Sequence, residues 1–182
     1  MTSLRLQSTA VLVAVLALVL PDVSSCRVFS TVEDALSKAF PGCTVERTTV
    51  YLTEQQREGA AELAGLEIPS AIVYPYVASC DSQYGGTAYF DAHRVRTLPE
   101  TLMVIVSPNG DVVHVEVLSF DEPEEYIPRT IWYQQFTEEP LDDDLQLGRG
   151  IDGVTGATLT ARATTEAVRR ILALHRILEV SP

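Results

Sequence analysis

The stretch TLMVIVSPNGDVVHVEVLSF, residues 101–120, consists of two apolar runs separated by a short polar segment. Asn109 and Gly110 lie in that segment, and an Asn-Gly pair between two such runs is the strongest short-range signal for a β-hairpin. Both runs are rich in β-branched residues, which pack well on a pleated surface. We therefore predict an antiparallel hairpin here, with the rest of the fold arranged around it.

Helical and strand-like segments precede this hairpin. Residues 30–40 (STVEDALSKAF) predict a short helix with Ser30 as its N-cap. Residues 43–52 (CTVERTTVYL) alternate and are rich in β-branched side chains, so they predict a single strand. Thr53 and Gln56 then form a capping-box pattern at the start of a second helix.

A long amphipathic helix is predicted from Thr158 to Leu178. The apolar residues that follow helical spacing and form one stripe are Ala163, Ala167, Ile171, Leu174 and Leu178. The charged residues predicted to face outward are Arg162, Glu166, Arg169 and Arg170. Residues 128–136 (PRTIWYQQF) predict one or two helical turns ahead of an acidic connection. The expected fold is α+β: an antiparallel sheet with a central hairpin, flanking helices and a long C-terminal helix.

Length and charge limit the kinds of partner that this protein can have. The chain has 182 residues and a net charge of −12, which suits one domain with a strongly acidic surface. Such a surface repels phosphate backbones and anionic lipids, which argues against nucleic acid and peripheral membrane binding but leaves a basic protein partner open. We expect residues 27–83 to form an N-terminal region of the same domain that residues 84–182 complete.

Residues 1–26 have the pattern of an export signal, with an apolar run from Ala10 to Leu20 that is shorter than the roughly 20 residues of a membrane span. Small residues up to Ser25 make a cleavage site before Cys26, and VSSC also resembles the lipobox of bacterial lipoproteins, in which the cysteine is lipidated. Both interpretations cut the chain before Cys26 and predict an exported protein of the bacterial periplasm or cell envelope. Lipidation of Cys26 would attach the protein to a membrane, and only through its N-terminus. An uncleaved leader that acts as a short anchor is the alternative.

The cysteine count is consistent with export. Lipidation of Cys26 would leave Cys43 and Cys80 as an even pair in an oxidising compartment, although a free buried thiol at either position stays open. The sequence contains no CxxC and no zinc-ligand spacing, so we predict no metal site.

The segment DGVTGATLT, residues 152–160, carries candidate chemistry just ahead of the long helix. Gly156 permits close approach of the backbone, and the first amides of a helix attract anions. Three hydroxyls could bond to or react with an oxyanion: those of Thr155, Thr158 and Thr160. The structural alternative is that Thr155 or Thr158 only caps the helix while Asp152 complements its dipole.

The string DGVTGAT fits D-x-x-(S/T)-G-A-T, the attachment signature of FMN-binding domains that carry the flavin on a threonine through a phosphoester. Five specified positions match by chance in a chain of this size on the order of once in a thousand sequences or fewer. The chain resembles the covalent-FMN components of the sodium-translocating NADH:quinone oxidoreductase and of the Rnf electron-transport complex, and stand-alone exported proteins with this domain. The resemblance runs over about residues 84–178.

The resemblance implies that a flavin transferase moves FMN from FAD onto Thr158. It also implies that Asp152 belongs to the pattern that the transferase recognises. The residues expected around the phosphate are Thr155, Gly156, Ala157, Leu159 and Thr160. Candidates for contact with the flavin ring are Glu122, Tyr126 and Trp132, in and after DEPEEYIP, where family members often have a glycine-rich turn.

The function implied by the resemblance is electron transfer through covalently bound FMN, with a redox protein or a membrane electron-transfer component as partner. We expect such a component rather than an independent enzyme, because the sequence has no nucleotide-binding fingerprint for NAD(P)H. Two alternatives are a module that binds FMN or another phosphate ligand noncovalently, and a lipoprotein that binds other proteins without a cofactor.

Overall fold

The computed structural model describes residues 27–178. The predicted export signal at residues 1–26 and the predicted lipidation of Cys26 lie outside this range. Within it, no helix combines the length and the apolar character that crossing a bilayer requires.

Strands and helices are mixed along the described range, as the sequence predicted. The strands are β1 (Arg27–Val28), β2 (Thr44–Arg47), β3 (Val50–Tyr51), β4 (Ile72–Val73), β5 (Tyr76–Cys80), β6 (Gln83–Arg94), β7 (Pro99–Val106) and β8 (Val112–Phe120). The helices are α1 (Val32–Ala39), α2 (Glu54–Ala64), α3 (Thr130–Tyr133) and α4 (Thr158–Leu178), with 3₁₀ turns at Glu124–Tyr126 and Gln134–Phe136.

Six of these strands form one antiparallel sheet in the order β1-β8-β7-β6-β5-β2, and β3 pairs separately with β4. The predicted hairpin is confirmed as β7 and β8. Its turn spans Ser107 to Asp111, because the Gly110 amide donates to the Ser107 carbonyl at 3.0 Å and the Ser107 amide donates to the Asp111 carbonyl at 2.8 Å. Gly110 takes the positive φ of 90° that this turn needs.

Two predictions for the N-terminal part of the described range were wrong. Residues 43–52 form two strands in different sheets, and the ladder between β2 and β5 ends beside Pro75, which has no amide to donate. Thr31 rather than Ser30 caps α1, since its hydroxyl accepts from the Asp34 amide at 3.1 Å while the Ser30 amide bonds to Leu118 of β8. The capping box of Thr53 and Gln56 at the start of α2 is confirmed.

Helices cover both faces of the large sheet. On one face α1 contributes to a small apolar cluster with alternate strand residues: Ala35, Phe40, Ala78, Ala88, Met103, Ile105 and Leu118. On the other face α2, α3 and α4 build the larger core, which includes Val104, Val106, Phe136, Leu145, Ile171 and Leu172. Because both faces of β7 are covered, its sequence is a continuous apolar run rather than an alternating one.

Arg169 was predicted to face solvent, and this was wrong: the residue is only 8% exposed. Its guanidinium donates to the backbone carbonyls of Ala64 at 2.9 Å, Asp142 at 2.7 Å and Leu145 at 3.0 Å. The carbonyls at the end of a helix have no partner within that helix, and Arg169 supplies one at the end of α2. The side chain therefore ties α2 and the acidic connection to α4.

Cys43 and Cys80 form a disulfide, which confirms the pairing expected from the cysteine count. The bond joins the residue just before β2 to the last residue of β5, at one edge of the large sheet.

Replacing Arg169 tests its structural role. We expect Arg169→Met to lower the free energy of unfolding by about 2–4 kcal/mol, because three backbone carbonyls lose their donor and two of these hydrogen bonds are buried. Arg162→Met, at an exposed position of the same helix, is the matched control and should stay within about 0.5 kcal/mol of the parent. Urea unfolding followed by circular dichroism measures both; equal effects of the two variants would contradict the assignment.

Candidate functional site

A pocket of about 240 Å³ opens at the N-terminal end of α4. The turn between β6 and β7, the segment after β8 and the first residues of α4 form its walls. Its lining residues are Val95, Arg96, Glu122, Tyr126, Gly156, Ala157, Thr158, Leu159 and Thr160. The lining is mainly apolar with a few polar groups, which is the usual character of a site for an organic ligand.

A tight turn leads into α4 at this pocket. The Ala157 amide donates to the Val154 carbonyl at 3.1 Å, and Gly156 within the turn has a φ of 88°. The Ala157 carbonyl then accepts from the Ala161 amide at 2.9 Å, which begins the helical pattern. Alanine has no side-chain acceptor for the first amides of a helix, so this helix start offers N–H groups and a positive dipole end to an anion.

The three threonines of the motif occupy different environments. Thr155 is exposed in the turn and does not line the pocket, whereas Thr160 is fully buried and its hydroxyl donates to the Tyr126 carbonyl at 2.6 Å. Thr158 is exposed, lines the pocket and donates to the Val154 carbonyl at 3.2 Å. Only Thr158 therefore combines an accessible hydroxyl with a place in the pocket wall.

Glu122 forms part of the wall and also holds the neighbouring turn. One carboxylate oxygen accepts from the Thr97 amide at 2.6 Å, the Leu98 amide at 2.8 Å and the Thr97 hydroxyl at 3.1 Å. Desolvation acts to raise the pKa of Glu122, but these hydrogen bonds outweigh it and lower the pKa below its ordinary value. The carboxylate thus stays charged and fixes the turn that carries Val95 and Arg96.

Arg96 and Tyr126 face each other across the pocket wall. The Arg96 guanidinium carbon lies 5.7 Å from the centroid of the Tyr126 ring, close enough for a cation–π contact. Arg94 bonds within its own turn, to the Thr97 carbonyl at 2.5 Å, whereas Arg96 brings a positive charge to the pocket.

Trp132 does not line this pocket. Its indole N–H donates to the Asp152 carbonyl at 2.7 Å, and the Asp152 amide donates to the Gln135 side chain at 2.8 Å. Both backbone groups of Asp152 are thereby anchored to α3 and the 3₁₀ turn that follows it. The geometry gives Trp132 a role in positioning the segment that leads to Thr158.

A partly buried polar cluster lies near this site, and sequence reasoning missed it. His93 bonds through Nδ1 to Asp91 at 2.8 Å and through Nε2 to Glu100 at 3.0 Å, and Arg170 contacts Asp91 at 3.4 Å. We refer to these four residues as the His93 cluster. The available signals were the two-residue spacing of Asp91 and His93, which puts them on one face of β6, and a glutamate at the head of an apolar strand.

Burial and hydrogen bonding compete in the His93 cluster. Burial lowers the pKa of His93, but its bonds to Asp91 and Glu100 outweigh this effect and raise the pKa to about 9. Burial is also the main influence on Glu100, whose pKa is raised above its ordinary value. Burial acts to raise the pKa of Asp91 too, yet its contacts with His93 and Arg170 lower it overall.

The raised pKa of His93 predicts a pH dependence of stability. The contribution of His93 to the free energy of unfolding is fully present below about pH 6.5, where the histidine is protonated in both the unfolded and the folded protein. This contribution is lost as the pH rises through about 9. We expect the free energy of unfolding to fall by up to about 3 kcal/mol over this window. Urea unfolding of His93→Gln should show a much smaller fall, whereas His114→Gln, at a half-exposed position of β8, should retain it. A full fall in His93→Gln would contradict the assignment.

Comparison with known families finds a match for the part of the chain that contains most of this site. The family model described as FMN-binding domain matches residues 98–173, from the end of the β6–β7 turn to within two turns of the end of α4. None of the curated proteins compared matches the chain. The matched range contains the hairpin, the Glu122 and Tyr126 side of the pocket, and the whole TGAT turn. Residues 98–173 of this chain are therefore similar to the FMN-binding domain family, which supports a flavin-binding role for this part of the protein.

Proposed function

We propose that this protein is an exported flavoprotein that transfers electrons through FMN bound by a phosphoester to Thr158. One observation carries the proposal: among the threonines of the motif, only Thr158 has an accessible hydroxyl in the wall of the pocket. Its position at the first residue of α4 places that hydroxyl beside the helix N-terminus.

The phosphate end of FMN fits this part of the site. The amides at the start of α4 and the positive end of its dipole favour an anion, and Ala157 brings no side-chain oxygen to compete for those amides. Arg96 adds a positive charge to the pocket wall. Gly156 leaves open space where a Cβ would stand, so no side chain obstructs the approach to the turn.

The flavin ring fits the remaining surface. Val95, Leu159 and the Tyr126 ring provide apolar and aromatic contact area in the same pocket. Leu159 is 48% exposed, so its side chain is available for such contact. When bound, FMN would supply reversible electron transfer, while the protein's own residues hold it, shield it and set the charge around it.

The attachment chemistry balances as a transfer from FAD by a separate transferase. The Thr158 oxygen forms a bond to the FMN phosphorus, the pyrophosphate bond of FAD breaks, AMP leaves, and the hydroxyl proton is released. The hydrogen bond from Thr158 to the Val154 carbonyl must be given up in this step, because the ester oxygen no longer carries a proton. Trp132 supports the step indirectly, since it holds the preceding Asp152 backbone in place.

Export and membrane attachment belong to the same proposal. The Cys43–Cys80 disulfide suits an oxidising compartment, and the apolar run before Cys26 suits a secretion signal with lipidation of that cysteine. The net charge of −12 suits docking to a basic redox protein, or to a membrane electron-transfer component with a basic face, that exchanges electrons with the flavin.

The attachment test uses coexpression with a flavin transferase, followed by intact mass and in-gel flavin fluorescence. We expect an FMN-sized mass increase on the parent protein and on Thr158→Ser, and none on Thr158→Val, because only a hydroxyl can form the ester. Thr137→Val is the matched control: it removes an exposed hydroxyl outside both the pocket and the signature, and it should keep the full modification.

Other outcomes of this experiment would select other functions. A mass increase that persists in Thr158→Val would place the attachment at another residue. Yellow protein that loses its colour on denaturation would indicate noncovalent FMN. Protein that stays colourless despite active transferase would leave an interaction module without a cofactor.

Replacing Cys26 tests the anchor. We expect the parent protein to partition with membranes, because a lipidated cysteine inserts its acyl chains into the bilayer. Cys26→Ser should lose that partition while the attachment of FMN is retained. Equal membrane association of the two proteins would argue against lipidation.

A further inference from the structure

The interior next to the flavin pocket contains an acidic side chain that the proposed attachment does not use. Glu100 is fully buried, and its Oε2 bonds to His93 while its Oε1 has no partner among the described residues. The Thr164 hydroxyl lies close enough to Glu100 to act on its carboxyl, and the buried Tyr133 hydroxyl has no hydrogen-bond partner among the described residues. Unpartnered buried polar groups are rare in folded proteins, and they are more common where a group has a chemical task.

Glu100 lies close to the pocket because α4 connects the two. Thr160 in the pocket wall and Thr164 beside Glu100 are one helical turn apart, which corresponds to about 6 Å along the axis. Both threonines are fully buried on the face of α4 that packs on the sheet. Glu100 also follows, by two residues, the Leu98 amide that Glu122 binds in the pocket wall.

The His93 cluster connects Glu100 to solvent. The His93 side chain is 12% exposed and the Asp91 side chain 21% exposed, whereas Glu100 is completely shielded. His93 bonds to both carboxylates at once, so it stands between the solvent side and the buried side. A proton can therefore reach Glu100 through a single side chain.

We infer that Glu100 takes up a proton through His93 when the flavin in the neighbouring pocket is reduced. The inference rests on the proposed FMN site. A reductant delivers an electron to the pocket ligand, and the added negative charge raises the proton affinity of the nearby shielded carboxylate. His93 passes the proton on its Nε2 to Glu100 Oε2 and keeps the proton on Nδ1. The imidazole ring must then turn so that the emptied Nε2 takes a replacement from the solvent side, and one proton enters for the added charge.

The charged groups around Glu100 favour this role. Those that face it are His93 and Asp91 of β6 and Tyr133 of α3, with Arg170 of α4 behind Asp91. His93 is protonated at neutral pH because its pKa is raised to about 9, so it holds the proton to be transferred. Burial raises the pKa of Glu100, so this carboxylate is more easily protonated when a negative charge is added nearby. Arg170 keeps Asp91 charged, so Glu100 is the carboxylate whose protonation state changes.

Infrared difference spectroscopy of the flavinylated protein, reduced with dithionite at pH 7, tests this inference. We expect reduction to produce a C=O stretching band of a protonated carboxylic acid in the parent protein and in Glu62→Gln, an exposed control on α2. Glu100→Gln and His93→Gln should both lack the band, because one has no acceptor and the other no donor. A pH-indicator measurement should show about one proton fewer taken up per reduced Glu100→Gln molecule.

Isotope labelling makes the test independent of whether the variants fold. The band in the parent protein should shift with ¹³C-labelled glutamate and not with ¹³C-labelled aspartate. A band that is missing from the reduced parent protein, that shifts with aspartate, or that persists in Glu100→Gln would overturn the inference. Mass and visible absorbance of the same sample before reduction report the FMN site itself, so failure of the proposed function is visible separately.

Discussion

The packing of α4 along β6 is the constraint on which the site depends. Along its length the helix contacts the strands and the segment after β8 through three hydrogen-bonded pairs: Thr160 with Tyr126, Arg170 with Asp91, and His175 with Tyr89. The buried residues between these pairs join the main apolar core, which contributes most of the free energy that holds the helix in place. A rotation of α4 by one residue would turn Thr158 out of the pocket wall and break all three pairs.

The start of α4 differs from the starts of the other two long helices in a way that suits binding. A threonine side chain caps α1 and another caps α2, whereas Ala157 precedes α4 and brings no acceptor. Replacing a good N-cap by alanine costs about 1 kcal/mol of helix stability. In the proposed holoprotein the phosphate would restore that stabilisation, so the uncapped helix start and the FMN site are two aspects of one feature.

The site was predictable where its residues are adjacent in sequence, and less so where they are not. Gly156 to Thr160 lie together in the pocket because they form one turn and the first turn of one helix. Glu122 and Tyr126 reach the same pocket, whereas Trp132 instead binds the Asp152 backbone from behind. The His93 cluster depends on the pairing of His93 with Glu100 across β6 and β7, and the spacing of seven residues in sequence does not reveal that register.

The sequence by itself determined the α+β class, the hairpin, the extent of the last helix and the TGAT turn, because these follow from local spacing, turn chemistry and a short specific motif. Tertiary structure alone decided that Arg169 is buried, that residues 43–52 divide between two sheets, and that one threonine of three lines the pocket with an accessible hydroxyl. The physical reason is that each of these outcomes depends on a partner distant in the chain. The spacing of residues along a helix does not show which distant backbone carbonyl will accept from an arginine. Likewise, the position of a threonine in the sequence does not show which turn will lie opposite it in the fold.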